Sequence, residues 1–206
     1  METKGLDQQE NKFLSDFQLE RYSRQVILSE ISELGQTKLL SSKVAIIGCG
    51  GLGCPLGLYL ASAGIGSITL VDDDKVELSN LNRQIAFKFS DVEKYKSLAL
   101  GKVLKNINQE IEIKTETKRL SGNNISQIFF DKDIIIDCTD NYETRLLIAR
   151  NCFEAGIRYA YKSGFDVIIS DLFSGRDEYC FMPVGPQNSK LFSLQRELDK
   201  VLQNNQ

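Results

Sequence analysis

Three glycines set the first chemical constraint on this chain. Gly48, Gly50 and Gly53 stand in the run Val44-Ala45-Ile46-Ile47-Gly48-Cys49-Gly50-Gly51-Leu52-Gly53, after an apolar β-branched stretch and before a helix-like pattern. A turn of that kind leaves backbone N–H groups open at the positive end of a helix, where an anion binds. Gly48 serves the tight turn, Gly50 lets a phosphate approach the backbone, and Gly53 permits close helix–strand packing. The spacing alone is weak evidence. The strand before it and the helix after it make it a nucleotide site.

Charged and amide side chains follow at suggestive intervals. Asp72 comes about two dozen positions after Gly48, at the end of a second apolar run, where an acid accepts hydrogen bonds from ribose hydroxyls; the bland alternative is a solvated acidic turn. Asp73 reads as solvated, and the role of Asp74 stays open. In Ser79-Asn80-Leu81-Asn82-Arg83-Gln84, the Arg83 guanidinium could hold a phosphate bidentately and Asn80 could assist through its amide, or both could cap and decorate a helix. Lys96 opens a helix, within reach of a phosphate or simply solvated. Asp140, in Asp137-Cys138-Thr139-Asp140-Asn141, is a candidate Mg²⁺ ligand, because that ion keeps most of its waters and needs few protein oxygens. Its alternative role is to cap the helix that follows. Asp137, nearer the strand, is a candidate structural partner.

These residues need a scaffold, and hydrophobic periodicity supplies one. The pattern is helical from Asp16 to about Leu40, with Gly35 marking a break. Strands are expected at Lys43–Ile47, Ser67–Val71, Ile111–Arg119, Asp133–Asp137, Tyr159–Ser163 and Val167–Phe173. Helices are expected at Leu52–Ala63, with Pro55 in its first turn, and at Lys96–Asn108, Ile125–Phe130 and Tyr142–Ala155, the last closed by Gly156. Leu78–Phe89 reads as a connection and Leu191–Gln203 as a polar terminal helix. Alternating strands and helices imply an α/β, Rossmann-like doubly wound fold: a mostly parallel sheet with helices on both faces and its ligand at the carboxyl ends of the strands. Gly48–Gly53, Asp72 and Asp140 all fall just past strand ends.

Composition narrows the chemistry. The chain has 206 residues, 42% of them hydrophobic, enough for one large domain with its own core. A net charge of −3 argues against a general nucleic-acid binder. No apolar run approaches the ~20 residues of a membrane helix, and the polar N-terminus lacks a signal-peptide core, so a cytoplasmic protein is expected. Histidine is absent, which removes His-dependent triads and His metal sites. The five cysteines form no C-x-x-C pair; Cys49, Cys54, Cys138 and Cys152 read as buried reduced thiols.

Taken together, Arg21-Tyr22-Ser23-Arg24-Gln25, the Gly48–Gly53 turn, Asp72-Asp73-Asp74, Ser79–Gln84, Lys96 and Cys138-Thr139-Asp140-Asn141 give the chain a resemblance to the ThiF–MoeB–HesA adenylyltransferases, the bacterial relatives of ubiquitin-activating enzymes. The resemblance covers residues 18 to about 165. It implies ATP-dependent adenylylation of the C-terminal Gly-Gly carboxylate of a small ubiquitin-like sulfur-carrier protein, as in thiamine or molybdopterin biosynthesis. It implies that Gly51 lies against the nucleotide, Asp72 binds ribose, Arg83 and Lys96 hold phosphates, and Asp140 coordinates Mg²⁺. Arg24 is implied to reach the site of a neighbouring subunit, which makes a homodimer the expected assembly.

The resulting domain plan is a flexible arm over 1–15, an ATP-binding adenylyltransferase domain over 16–183 and a polar tail over 184–206. Against the family pattern the chain reads as shortened at its C-terminus. Cys180 has an aspartate, Asp177, where a C-x-x-C pair would need a second thiol. No zinc site is therefore expected, and a sulfur-transfer role for Cys180 is a remote reading. The runner-up function is a nucleotide-binding but catalytically impaired assembly module of the same fold. An NAD-dependent oxidoreductase, suggested by the glycine turn alone, fits the cationic cluster and the missing histidine poorly.

Overall fold

The computed structural model describes residues 14–163, 166–171 and 176–180. Most of the arm, the whole polar tail and its expected helix lie outside them, as does the side chain of Cys180.

The chain opens with α1 (Asp16–Val26), capped by Ser15, whose hydroxyl accepts from the Gln18 backbone N–H. α2 (Ser32–Ser41) follows. The break between them falls at residues 27–31, not at Gly35, which sits inside α2. There the chain turns on the Leu28 carbonyl, which accepts from both Ile31 and Ser32, and Ser32 takes a left-handed φ of 56°. A lone glycine lowers helix stability by only about 1 kcal/mol relative to alanine, too little to end a packed helix.

Next come β1 (Lys43–Ile47), α3 (Gly53–Ala63), β2 (Ser67–Val71), two 3-10 turns (Leu78–Asn80 and Phe89–Asp91), α4 (Lys96–Ile107) and β3 (Glu112–Glu116). α5 (Ile125–Phe129), β4 (Ile134–Asp137), α6 (Tyr142–Ala155), β5 (Arg158–Ser163), β6 (Asp166–Asp171) and β7 (Arg176–Cys180) complete the described chain. β7 carries no apolar alternation and was not expected from the sequence.

The sheet order is β3-β2-β1-β4-β5-β6-β7. β3 to β5 pair in parallel; β6 and β7 add as antiparallel edge strands. The doubly wound fold expected from the sequence is present. Side chains alternate across β1. Val44 and Ile46 join Cys54, Ala61, Leu100 and Leu104 of α3 and α4 on one face, while Ala45 and Ile47 join Ile125, Ile148 and Cys152 of α5 and α6 on the other. Cys49, Cys54 and Cys152 are buried, as expected, and Cys138 is half-buried.

Strand order reverses at β1, which has β2 on one side and β4 on the other. The flanking helices run on to opposite sides of the sheet there and leave a crevice at the strands' carboxyl ends. Among the described residues no helix is long and apolar enough to cross a membrane.

Candidate functional site

A cavity of about 690 Å³ occupies this crevice. The glycine turn forms its floor. Gly48 has φ +93°, and a Cβ there would come within 3.0 Å of the Cys138 carbonyl oxygen. At Gly53 a Cβ would stand 1.9 Å from the Gly48 carbonyl oxygen, so this residue permits the turn to close but does not itself line the cavity. Gly48, Gly50 and Gly51 do line it. The backbone N–H groups of Gly50, Gly51 and Leu52 find no acceptor among the described residues. They face outward at the start of α3, an arrangement suited to an anion.

Asp72 stands beside this turn. One carboxylate oxygen accepts from Cys49 N at 2.6 Å and the other from Asp74 N at 2.8 Å. Burial pushes its carboxyl above the ordinary value, opposed by those two donors and by nearby Lys96. Each oxygen keeps a further lone pair for a hydroxyl donor. Asp73 also lines the cavity. α4 is tied to this strand end, with Ser97 Oγ donating to the Asp72 carbonyl at 3.1 Å and Lys96 N to the Asp74 carbonyl at 2.9 Å. That places the Lys96 ammonium in the wall, paired with Asp74 at 2.7 Å. Asp74 thus holds Lys96 and itself lines the cavity.

Across the floor lies the 77–84 segment. Asn80 lines the cavity, but its side-chain oxygen is used locally, accepting from Glu77 N at 3.1 Å. The exposed Arg83 guanidinium donates through Nη1 alone, to the Ser79 carbonyl at 3.1 Å and Asn82 Oδ1 at 3.0 Å. Its Nε and Nη2 stay free for an anion.

The rim after β4 carries Asp140. It is exposed, lines the cavity and makes no hydrogen bond or ion pair with the described residues. It does not cap α6; Asn141 does, accepting from Thr144 N. Asp137 is the structural partner: buried, it accepts from Thr139 N at 2.8 Å, Thr139 Oγ1 at 2.6 Å, Arg145 Nε at 3.0 Å and Tyr159 OH at 3.1 Å. Arg145 also donates to the Thr139 carbonyl at 2.9 Å. Burial, then the Asp137 charge, pushes the Tyr159 hydroxyl far up, so it keeps the proton it donates to Asp137. This network holds the turn from which Asp140 projects. A free carboxylate on the cavity rim is a hard oxygen donor of the kind Mg²⁺ takes, so Asp140 could hold that ion beside a bound triphosphate.

Arg24 lies outside this cavity. α1 packs at the far end of the sheet, where Arg21 donates to the last carbonyl of α4 (Ile107, 2.7 Å) and Gln25 to that of α3 (Ala63, 3.2 Å). The 11 residues of α3 separate the two ends by about 16 Å. Arg24 itself is exposed and unpaired among the described residues. Lys118 and Arg119, after β3, also line the cavity and add positive charge that the sequence reading missed. They follow a half-exposed strand and belong to no motif. Burial pushes the Cys54 thiol up to about 11 and those of Cys138 and Cys152 up to about 12, which favours the protonated thiol at neutral pH.

Residues 22–172 match the model of the ThiF family. The sulfur carrier protein ThiS adenylyltransferase of Escherichia coli is 38% identical over 179 residues, covering 86% of this chain and 71% of that protein. The adenylyltransferase and sulfurtransferase MOCS3 of Aedes aegypti is 45% identical over 139 residues, covering 68% of this chain but 32% of its own. Among solved structures, the E. coli tRNA N6-threonylcarbamoyladenosine dehydratase TcdA in complex with ATP superposes with a TM-score of 0.68 at 25% identity, covering 73% of this chain and 61% of that one.

Proposed function

Because the chain belongs to the ThiF family, we propose that it binds ATP in this cavity and adenylylates the C-terminal carboxylate of a small ubiquitin-like sulfur carrier ending in Gly-Gly. In this reading Asp72 takes the ribose hydroxyls, and the open N–H groups of Gly50 and Gly51 meet the nucleotide at the start of α3. A carboxylate oxygen bonds to the α-phosphorus while the bond to the bridging oxygen breaks, releasing pyrophosphate. Two anions must be brought together, so charge neutralisation and positioning dominate and no general base is required. Arg83 and Lys96 hold phosphate oxygens. For Lys96, this means sharing its charge between Asp74 and the ligand. Asp140 would hold Mg²⁺, which supplies further neutralisation of the triphosphate when bound.

Arg24 has no work in its own chain's cavity, and the proposal gives it the neighbouring subunit's site in a homodimer.

The observation that carries this reading is the convergence, in one cavity, of open backbone donors, Arg83, Lys96 and an unpaired Asp140. The test is exchange of labelled pyrophosphate into ATP in the presence of E. coli ThiS. Exchange that depends on ThiS and collapses in Arg83→Ala and Asp140→Ala supports the assignment. Full exchange in both variants overturns the roles given to these residues.

A further inference from the structure

Two buried side-chain oxygens among the described residues have no hydrogen-bond partner: Thr69 Oγ1 and Gln84 Oε1. Thr69 sits in the middle of β2, away from the cavity. Gln84 lines the cavity and is only 3% exposed. Its side-chain nitrogen makes no hydrogen bond with the described residues either, and lies 3.6 Å from where a Cβ on Gly50 would stand. The backbone alone ties the residue down, with Gln84 N donating to the Asn80 carbonyl at 2.9 Å and its own carbonyl accepting from Phe87 N at 3.1 Å.

We propose that Gln84 is a binding residue for the carrier's tail: its carboxamide pairs with the last peptide unit, Oε1 accepting the peptide N–H and Nε2 donating to the peptide carbonyl. The inference rests on the proposed function and adds a residue to it. A buried acceptor left unpaired costs about 1–3 kcal/mol, and folded proteins retain few of them. One that borders a cavity marks a place where a ligand completes the bonding.

The chemistry of the amide selects the ligand. A carboxamide offers a donor and an acceptor side by side, and both are satisfied by a planar group with the complementary pair. Triphosphate and carboxylate oxygens only accept at neutral pH, so they leave Oε1 unpaired. A peptide unit pairs with both atoms. The terminal torsion of a glutamine is broad and two-fold, so the amide plane turns toward the cavity without leaving its rotamer well. Gly50, lacking a side chain, leaves room for a chain to lie against the amide. Arg83, the preceding residue, puts this contact beside the groups assigned to phosphate. An adenine edge presents similar complementarity, and the KM for ATP separates the two.

The test is steady-state pyrophosphate exchange with E. coli ThiS, native and with its last peptide nitrogen replaced by an ester oxygen. In the unmutated enzyme the ester raises the KM for ThiS about tenfold. Gln84→Leu raises that KM by about as much with native ThiS, adds no further penalty with the ester, and leaves the KM for ATP within about twofold. Its thermal midpoint stays at or above that of the unmutated enzyme, because a buried orphan acceptor has been removed. Gln84→Glu retains an acceptor, so it keeps its sensitivity to the ester and covers a failure of the leucine variant to fold. An ATP KM that rises in step with the ThiS KM makes Gln84 a purine contact and overturns the proposal. So does a ThiS KM indifferent to both changes. Absence of exchange between the unmutated enzyme and native ThiS overturns the underlying function and this inference together, a result distinct from either.

Discussion

The cavity has two rims, built on opposite principles. After β4, Asp137 is buried and saturated, with four donors from Thr139, Arg145 and Tyr159 around it, while Asp140 three residues on has none. Every constraint is placed on the first carboxylate so that the second can stand free. Across the floor, the 77–84 segment closes on itself through short local bonds and leaves Arg83 partly engaged and Gln84 unpaired. The β4 rim fixes its functional group by a tertiary network. The opposite rim presents its groups from local turns and relies on the ligand to complete them. Stability and function should therefore separate on the first rim by residue, and on the second not conflict at all.

The sharpest way to break this comparison is at Asp137. Asp137→Ala strands Arg145 against a buried, uncharged site and should lower stability by about 3–5 kcal/mol in urea denaturation. A loss under 1 kcal/mol, on the order of a surface change, would show that the network does not hold the rim. Asp140→Ala is the converse. It should reduce exchange by about a hundredfold or more while shifting the denaturation midpoint by no more than a surface substitution. Arg83→Ala should behave in the same way, since only local bonds are lost.

Smaller effects sharpen the picture. Tyr159→Phe removes one of four donors to Asp137 and should cost about 1 kcal/mol, with exchange retained. The smallest effect near neutral pH concerns the thiols. Folding raises the pKa of Cys54 to about 11 and of Cys138 and Cys152 to about 12, above an unfolded value near 8.5. Their contribution is complete below the unfolded value and is lost as pH climbs toward the folded ones, because only the unfolded chain ionises there. Denaturation midpoints should hold to about pH 8 and decline above it, and iodoacetamide should label these thiols only on unfolding.

Much of this was legible from the residues because it is local. β1 and β2 are short apolar runs ended by glycine or acid, and α6 runs from Tyr142 to the αL residue Gly156, as its periodicity and closing glycine implied. The α1–α2 break was misplaced because a helix interrupted by packing looks continuous in sequence, whereas a glycine looks like a break. β7 escaped the sequence reading because Arg176-Asp177-Glu178-Tyr179-Cys180 carries no apolar alternation to announce a strand. At the site, the glycine turn and the acids after strand ends announced themselves by position. The division of labour between Asp137 and Asp140 did not, because it depends on Tyr159, twenty-two residues away. Nor did the pairing of Asp74 with Lys96 or the unpaired state of Gln84, which are properties of packing and not of spacing.

The central claim is chemical: this cavity joins the α-phosphorus of ATP to a peptide carboxylate. Intact-mass measurement of E. coli ThiS after incubation with the chain, ATP and Mg²⁺ tests it directly. The account predicts a ThiS species carrying one AMP, absent without ATP and absent with Asp140→Ala. Tight ATP binding, seen as thermal stabilisation, with ThiS left unmodified would contradict it and mark the chain as a nucleotide-binding module instead.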